Sequence, residues 1–171
     1  TGNLLVEKSE HLEQVFTLAK QHNLMIAVHS EDEQVLKAHS LCVKAPYTSH
    51  SHSKLRHRQA AITSTQRIIS FSQKFKVPVI ILHTSTKEEV LLIKKAKKQG
   101  IPIFAETSPH HLFMNTSAYK KIGMLAKMNP PLREKEDNQA LWQGIKEGVI
   151  DTIGTDHAPH LLEEKQQSYD K

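Results

Sequence analysis

The stretch VPVIILHTSTKEEVLLIKKAKKQGIPIFAETSPHH (residues 77–111) predicts one complete strand–helix–strand unit. Two short apolar runs rich in β-branched residues, 77–82 and 101–105, enclose a segment with helical periodicity. Ser85 or Thr86 can cap that helix, which opens with acidic residues, closes with lysines and stops at a glycine. Nearly continuous apolar runs are typical of parallel strands that are buried on both faces. The unit therefore predicts a parallel sheet covered by helices.

The same alternation extends along the rest of the chain, which is typical of an α/β protein with a parallel sheet. The segments 40–54 and 107–133 have no clear period, so both are predicted to be loops, the second with one short helix near Ser117. Because both follow strands closely, we expect them to build a site. The other predicted strands are 24–28 and 149–154, and the other predicted helices are 6–22, 55–75 and 134–148.

The composition indicates one globular domain with its own core, since the chain has 171 residues and 38% of them are apolar. The net charge is +5, but the lysines of KKAKK (94–98) fall on a predicted helix without interleaved aromatic residues, which argues against a nucleic-acid partner. There is no apolar run of about 18 residues and no signal-peptide pattern, so we expect no membrane association. A single cysteine, Cys42, fits a cytoplasmic protein.

Each predicted strand is followed by a residue that can bind a metal or transfer a proton. In a parallel α/β sheet the carboxyl ends of the strands meet at one face, where loops build sites. A single histidine there is usually a hydrogen-bonded structural residue, but a buried cluster of histidines and carboxylates is costly unless it is paired or metal-bound. We therefore predict that His29, His83 and Asp156 are metal ligands. Glu106 either joins them or pairs with His110 or His111.

The remaining histidines fall on predicted helices or in the loop 40–54, and we interpret them as surface residues. The string HSHS in that loop could mimic a metal site. These residues are His11, His22, His39, His50, His52 and His57.

Imidazole and carboxylate ligands without thiolates suit zinc or a similar divalent ion. With an open coordination position, such an ion activates water near neutral pH. That chemistry suits hydrolysis of an unactivated amide, and Asp156 could carry the proton from water to the leaving nitrogen.

The string KMNPPLR (127–133) contains two prolines that stiffen the backbone and favour an extended conformation at Asn129. A rigid segment could present Asn129 and Arg133 to a substrate carbonyl or carboxylate. Equally, the segment could be a stiff turn that leads into helix 134–148 with Arg133 exposed. The sequence leaves both interpretations open.

Five strings, in this order and spacing, cover nearly the whole chain and resemble the dihydroorotases of the amidohydrolase superfamily. NPPLR and DHAPH favour that family over the hydantoinases and allantoinases. The five strings are VHSED, HTSTKEE, ETSPHHLF, KMNPPLR and DHAPHLLEEK.

The resemblance implies part of a TIM (β/α)8 barrel that interconverts L-dihydroorotate and N-carbamoyl-L-aspartate in pyrimidine synthesis, with one or two Zn²⁺ ions. His29 and His83 match the two imidazole ligands of the more buried metal. Asp156 matches the residue that ligates the other metal and acts as general base and acid. Asn129 matches a contact to the dihydropyrimidine ring, and His160 matches a contact to the substrate carboxylate. We interpret His157 as structural.

Other features of the family are missing from the sequence. Its HxH pair is absent, and the carboxylated lysine that bridges the metals would lie before Thr1. TGNLLV is similar to the sequence that follows that lysine, and the chain stops after EEKQQSYDK without a further predicted element. The chain thus resembles about four βα units, truncated at both ends, which form one partial domain (1–171) with strands five to eight. We expect it to bind metal weakly alone and not to turn over.

Two alternatives remain open. One is a related cyclic amidase, such as a hydantoinase or dihydropyrimidinase. The other is a non-catalytic, dihydroorotase-like scaffold partner of another pyrimidine enzyme, although the intact His29, His83 and Asp156 argue against it. In every case a small molecule is the expected partner of the site, and a homodimer remains open.

Overall fold

The computed structural model of this protein describes residue 6 and residues 8–169. Four parallel strands form one sheet in the order β1-β2-β3-β4, which confirms the α/β class. The strands are shorter than the apolar runs that predicted them. Pro78 and Pro102 have no amide proton and contribute only their carbonyls, which accept from Ile26 and Val79, so β2 and β3 begin after the prolines. The strands are β1 (Ile26–Val28), β2 (Val79–Ile81), β3 (Ile103–Thr107) and β4 (Thr152–Ile153).

Long helices alternate with these strands, as the sequence predicts. The helix predicted at 6–22 begins at Ser9, and residue 7 lies outside the described part of the chain. The helix predicted at 55–75 is two helices, because the backbone at Arg56 leaves the helical region and the His57 ring caps the new helix at the Gln59 amide. The long helices are α1 (Ser9–Gln21), α4 (Arg58–Phe75), α5 (Lys87–Lys98) and α8 (Lys135–Lys146).

The segments predicted as loops contain more helix than expected. The helix expected near Ser117 is confirmed, but each segment also contains a further short helix. Two more short helices, one after β1 and one near the end of the chain, lie where no element was predicted. These are α2 (Glu33–Ser40), α3 (His52–Leu55), α6 (Pro109–Phe113), α7 (Ala118–Ile122) and α9 (Leu162–Lys165), with 3₁₀ turns at Ser49–Ser51 and Gly123–Ala126.

The main core lies between the sheet and the long helices, where Phe16, Ile81, Ile93 and Leu141 are fully buried. The opposite face of the sheet is open, since Phe104 on β3 keeps 38% of its surface exposed. Ile153 on β4 pairs with the buried Thr107 on the core side and is 53% exposed because β4 is at the edge of the sheet. The prediction of strands buried on both faces is therefore wrong for this face within the described residues.

No helix in the described part of the chain is long and apolar enough to cross a membrane.

The cap of α5 fixes the chain where β2 ends. Of the two predicted caps the structure uses Thr86, whose hydroxyl accepts from the Glu89 amide at 3.2 Å. The buried Glu89 carboxylate accepts in return from the amides of Ser85 and Thr86 at 3.2 and 3.0 Å. Burial raises the pKa of Glu89 even though these donors and Arg133 oppose the shift. The segment directly after His83 is thereby held in place.

Candidate functional site

Two histidines that follow neighbouring strands meet at the carboxyl end of the sheet. His29 follows β1 and His83 follows β2, and these strands pair through Val28 and Ile81. The Nδ1 atom of His29 lies 3.0 Å from the Nε2 atom of His83, and the rings meet edge to face at 4.7 Å. His83 has a φ of 38°, a left-handed conformation that is uncommon for a residue with a side chain and is often found at functional sites.

The other side of the His29 ring is held by a buried carboxylate, which the sequence pattern did not predict. His29 Nε2 donates to Glu31 Oε2 at 3.0 Å, and Arg56 Nε donates to the same oxygen at 3.1 Å. Burial alone would raise the pKa of Glu31, but the hydrogen bond from His29 and the charge of Arg56 lower it to about 2. Glu31 is therefore an acceptor only, so the His29 proton resides on Nε2 and the Nδ1 lone pair faces His83.

His83 is neutral at physiological pH. Burial and the nearby His29 lower its pKa to about 4, although Asp156 and Glu31 act in the opposite direction. Its Nδ1 atom is buried and finds no hydrogen-bond partner in the described part of the chain. Neutral imidazoles are the form in which histidine binds a divalent metal. The facing nitrogens of His83 and His29 fit half of the donor set of a zinc site.

A cavity of about 950 Å³ opens beside this pair at the carboxyl ends of the strands. Asp156, after β4, has a φ of 48° and raises the pKa of both His83 and His110, which places its charge close to them. His160 is half exposed, with its Nδ1 atom 3.5 Å from Glu164 Oε2. The residues to which the family resemblance gives a metal or substrate role all line this cavity: His29, His83, Asn129, Asp156 and His160.

The three predicted metal ligands do not form one tight group. Across residues 6 and 8–169, no three His, Cys, Asp or Glu side chains lie close enough together to hold a metal ion. His29 and His83 form a pair, and Asp156 lines the same cavity. His157, which we predicted to be structural, is exposed and lines the cavity as well.

Arg133 is buried, so the interpretation of KMNPPLR as a stiff turn with Arg133 exposed is wrong on this point. It is 4% exposed and lies beneath the site, because its Nη1 atom donates to the Arg56 carbonyl at 2.7 Å and its Nε atom donates to Ser85 Oγ at 3.3 Å. Its Nη2 atom is 3.9 Å from Glu31 Oε1. Arg133 therefore supports Glu31 from below, whereas Asn129 of the same string lines the cavity.

His52 is not a surface residue either. Only 2% of it is exposed, since Nε2 donates to the Met128 carbonyl at 2.8 Å and Nδ1 lies 2.8 Å from the Tyr169 hydroxyl. The string HSHS therefore does not mimic a metal site, because His52 is engaged inside the fold and His50 points outward. His39 and His57, also predicted at the surface, stack on each other at 4.0 Å and are partly exposed.

Glu106 lies against the chain after β4. A Cβ atom at Gly154 would be 2.5 Å from the carboxyl carbon of Glu106, so a side chain at position 154 would displace this carboxylate. Within the described residues the Glu106 carboxylate makes no hydrogen bond to His110 or His111, and the predicted pairing is therefore wrong. His111 instead contacts Ser108 Oγ and the Pro130 carbonyl, at 3.1 and 3.2 Å.

Several curated dihydroorotases are similar to this chain in sequence. The enzyme of Lactobacillus acidophilus is 38% identical over 148 residues, which are 86% of this chain and 35% of that protein. The enzyme of Methanosarcina mazei is 33% identical over 171 residues, with 96% of this chain and 37% of that protein covered. This chain thus spans little more than a third of the length of these relatives. No protein-family model matches it.

Solved structures of cyclic amidases share the fold. The L-hydantoinase (dihydropyrimidinase) of Arthrobacter aurescens matches 99% of this chain and 38% of its own with a TM-score of 0.91 and 26% identity. The dihydropyrimidinase of Brevibacillus agri matches 94% of this chain and 36% of its own with a TM-score of 0.86 and 27% identity. This chain is therefore a partial barrel of the amidohydrolase superfamily, and it resembles the dihydroorotases of that superfamily in sequence.

Proposed function

We propose that this chain forms the later part of a dihydroorotase, which hydrolyses L-dihydroorotate reversibly to N-carbamoyl-L-aspartate in cytoplasmic pyrimidine synthesis. The observation that carries the proposal is the pair of facing nitrogens of His29 and His83, 3.0 Å apart, beside a cavity that also contains Asp156, Asn129 and His160. The 33–38% identity to curated dihydroorotases over most of the chain favours this reaction among the cyclic amidases.

We assign the metal-binding role to His29 Nδ1, His83 Nε2 and Asp156. One or two Zn²⁺ ions held there would polarise the scissile carbonyl and lower the pKa of water. A bridging carboxylated lysine would come from sequence before Thr1. Glu31 keeps the His29 proton on Nε2 and so keeps Nδ1 free for the ion.

Asp156 is the proposed general base and acid. Its carboxylate removes a proton from the attacking water as the water oxygen bonds to the ring carbonyl carbon. The ring C–N bond then breaks, and Asp156 returns the proton to the leaving nitrogen. Its exposure to the cavity gives substrate access to the carboxylate.

The substrate is a small cyclic amide with a carboxylate. Asn129 carries both a donor and an acceptor and can contact the dihydropyrimidine ring, while His160, which lines the same cavity, can contact the carboxylate. We place β1 to β4 as strands five to eight of the barrel, in a partial domain that comprises residues 1–171.

A related reaction is the second candidate, because the similar solved structures are a hydantoinase and a dihydropyrimidinase. The full-length protein should be assayed on L-dihydroorotate, on dihydrouracil and on hydantoin, together with a metal analysis. We expect dihydroorotate to be turned over with a kcat/KM at least about a hundredfold higher than the others, as loss of a paired carboxylate contact implies. A preference for hydantoin or dihydrouracil would refute the assignment, and a metal-free, inactive protein would indicate the scaffold.

A further inference from the structure

Two buried histidines contact the backbone on either side of Asn129. His52 Nε2 lies 2.8 Å from the carbonyl oxygen of Met128, and His111 Nε2 lies 3.2 Å from the carbonyl oxygen of Pro130. Asn129 is the residue between these two carbonyls. The histidines come from separate elements, α3 and α6, that approach the segment from different parts of the chain.

Both rings have the same protonation pattern. A carbonyl oxygen only accepts, so Nε2 is the donor in each ring and Nδ1 is the acceptor. A hydroxyl group faces each Nδ1 atom: the Tyr169 hydroxyl lies 2.8 Å from His52, and Ser108 Oγ lies 3.1 Å from His111. Each hydroxyl therefore donates to its ring and fixes the tautomer that donates to the backbone.

Burial keeps these rings neutral. His52 and His111 are each 2% exposed. Burial lowers the pKa of His52 to about 4 and that of His111 well below its ordinary value. Burying a polar ring is costly unless it is hydrogen-bonded, and each of these rings bonds to a backbone carbonyl.

The segment is fixed at its outer positions as well. Lys165 Nζ donates to the Lys127 carbonyl at 2.7 Å, and the Leu132 amide donates to the Tyr119 hydroxyl at 3.1 Å. The backbone of residues 127–132 is thus held from several directions, while the side chain of Asn129 is left to line the cavity.

We propose that His52 and His111 are positioning residues that clamp the Met128 and Pro130 carbonyls and thereby aim the Asn129 amide at the substrate. The role of Asn129 rests on the proposed function, whereas the clamp itself does not. The two rings act through Asn129 and touch no reacting atom.

The test uses the full-length protein and two kinds of substitution. In His52→Asn and His111→Asn the side-chain oxygen can replace Nδ1, but the donor to the carbonyl is lost. In His52→Gln and His111→Gln the side-chain nitrogen reaches the position of Nε2, so the donor is kept. His11→Asn, at an exposed position on α1, is the matched control.

We expect each Asn variant to raise the KM for dihydroorotate about fivefold to tenfold, as the loss of one buried hydrogen bond does, with little change in kcat. The Gln variants should stay within about twofold of the wild type, because they keep that bond. In an Asn129→Ala background the Asn variants should add no further increase, since their effect passes through Asn129. Fully additive effects would overturn the positioning role.

Hydrogen exchange without substrate separates the clamp from the proposed function. We measure the amides of Lys127 and Leu132, which donate to the Met124 carbonyl and the Tyr119 hydroxyl. Exchange about fivefold faster in the Asn variants supports the clamp even if dihydroorotate proves not to be the substrate. Unchanged exchange in folded Asn variants would overturn it. If the Asn variants do not fold, the same amides are measured in Tyr169→Phe and Ser108→Ala, which remove the hydroxyl groups that fix the two rings. Faster exchange in these variants supports the clamp, and unchanged exchange overturns it.

Discussion

Glu31 holds the His29 ring from the side opposite to His83, with 3.0 Å between Glu31 Oε2 and His29 Nε2. The carboxylate is completely buried and also binds Arg56, so it cannot turn away from the ring. The orientation of the Nδ1 atom that faces His83 is therefore set by a residue two positions further along the chain. Partners of this kind tune the affinity of a metal-binding histidine.

Glu31→Gln in the full-length protein should lower the affinity for Zn²⁺ about tenfold to a hundredfold, because an amide no longer fixes the His29 tautomer. Competition with a chromogenic chelator measures the change. Glu33→Gln is the control, since it removes a carboxylate from the same segment that does not contact His29. An affinity equal to that of the wild type would show that Glu31 does not orient the ring.

Asp137 joins three helices and should be important for stability. It is 1% exposed and accepts from Arg58 Nη2 at 2.6 Å and from the amides of Lys87 and Glu134 at 2.9 and 3.0 Å. Asp137→Ala leaves the two amides without a partner and removes one of the two carboxylates that bind Arg58, so it should lower the free energy of unfolding by about 3 kcal/mol. Urea denaturation measures it. Glu136→Ala, at the exposed neighbouring position, should change it by less than about 0.5 kcal/mol.

Local patterns in the sequence are sufficient to predict part of the site. Apolar runs locate the strands, and the rule that parallel strands end at one face predicts that His29 and His83 lie close together. The cap at Thr86 follows from the order of residues along α5. Each strand, its terminal histidine and the helix cap are specified by residues close to them in the sequence, and the parallel sheet then brings the two histidines together.

The features that the sequence did not predict depend on residues that are distant along the chain. His52 is buried because it meets Met128 and Tyr169, which lie 76 and 117 positions away. Arg133 is buried because its partners, Arg56 and Ser85, are 77 and 48 positions away. Periodicity and spacing contain no information on such contacts. A polar residue in a segment without a period is therefore predicted to be exposed, even where the fold buries it.

The stability of this protein should decrease as the pH falls below neutrality, and His52 should contribute to that decrease alongside the other buried histidines, His83 and His111. The His52 ring is neutral in the folded state with a pKa of about 4, depressed first by burial and then by Arg56 and Lys127, with the Met128 carbonyl and Glu31 opposing. In the unfolded chain the pKa is about 6.5, so the unfolded state binds the proton first. Stability is therefore fully present above pH 6.5 and is lost as the pH falls towards 4.

The expected loss from His52 is at most about 3 kcal/mol. Urea unfolding between pH 7 and pH 4.5 measures this loss of free energy. The range stays above the pH at which protonation of Glu31 contributes. In His52→Gln the slope of stability against pH should be shallower, because that side chain does not titrate. If the slope of stability against pH were unchanged in His52→Gln, protonation of His52 would not contribute to the loss of stability.

The 171-residue chain alone should bind Zn²⁺ weakly. Among the residues that the structure describes, no three potential ligands lie close enough together to hold a metal ion, whereas a stable zinc site needs four. We expect a dissociation constant at least about a hundredfold higher than that of the full-length protein, and no turnover of dihydroorotate, because further ligands are missing. Isothermal titration with Zn²⁺ tests the first point. Turnover by the 171-residue chain would contradict the second.

Asp156→Asn in the full-length protein separates proton transfer from metal binding. An amide can still offer an oxygen to the cavity, but it does not accept a proton from water. We expect kcat on dihydroorotate to fall at least about a thousandfold, within the range for loss of a general base, while the imidazole pair retains part of the bound metal. His157→Asn is the matched control at the neighbouring, exposed position, and it should lower kcat far less. Full activity of Asp156→Asn would show that another residue carries the proton.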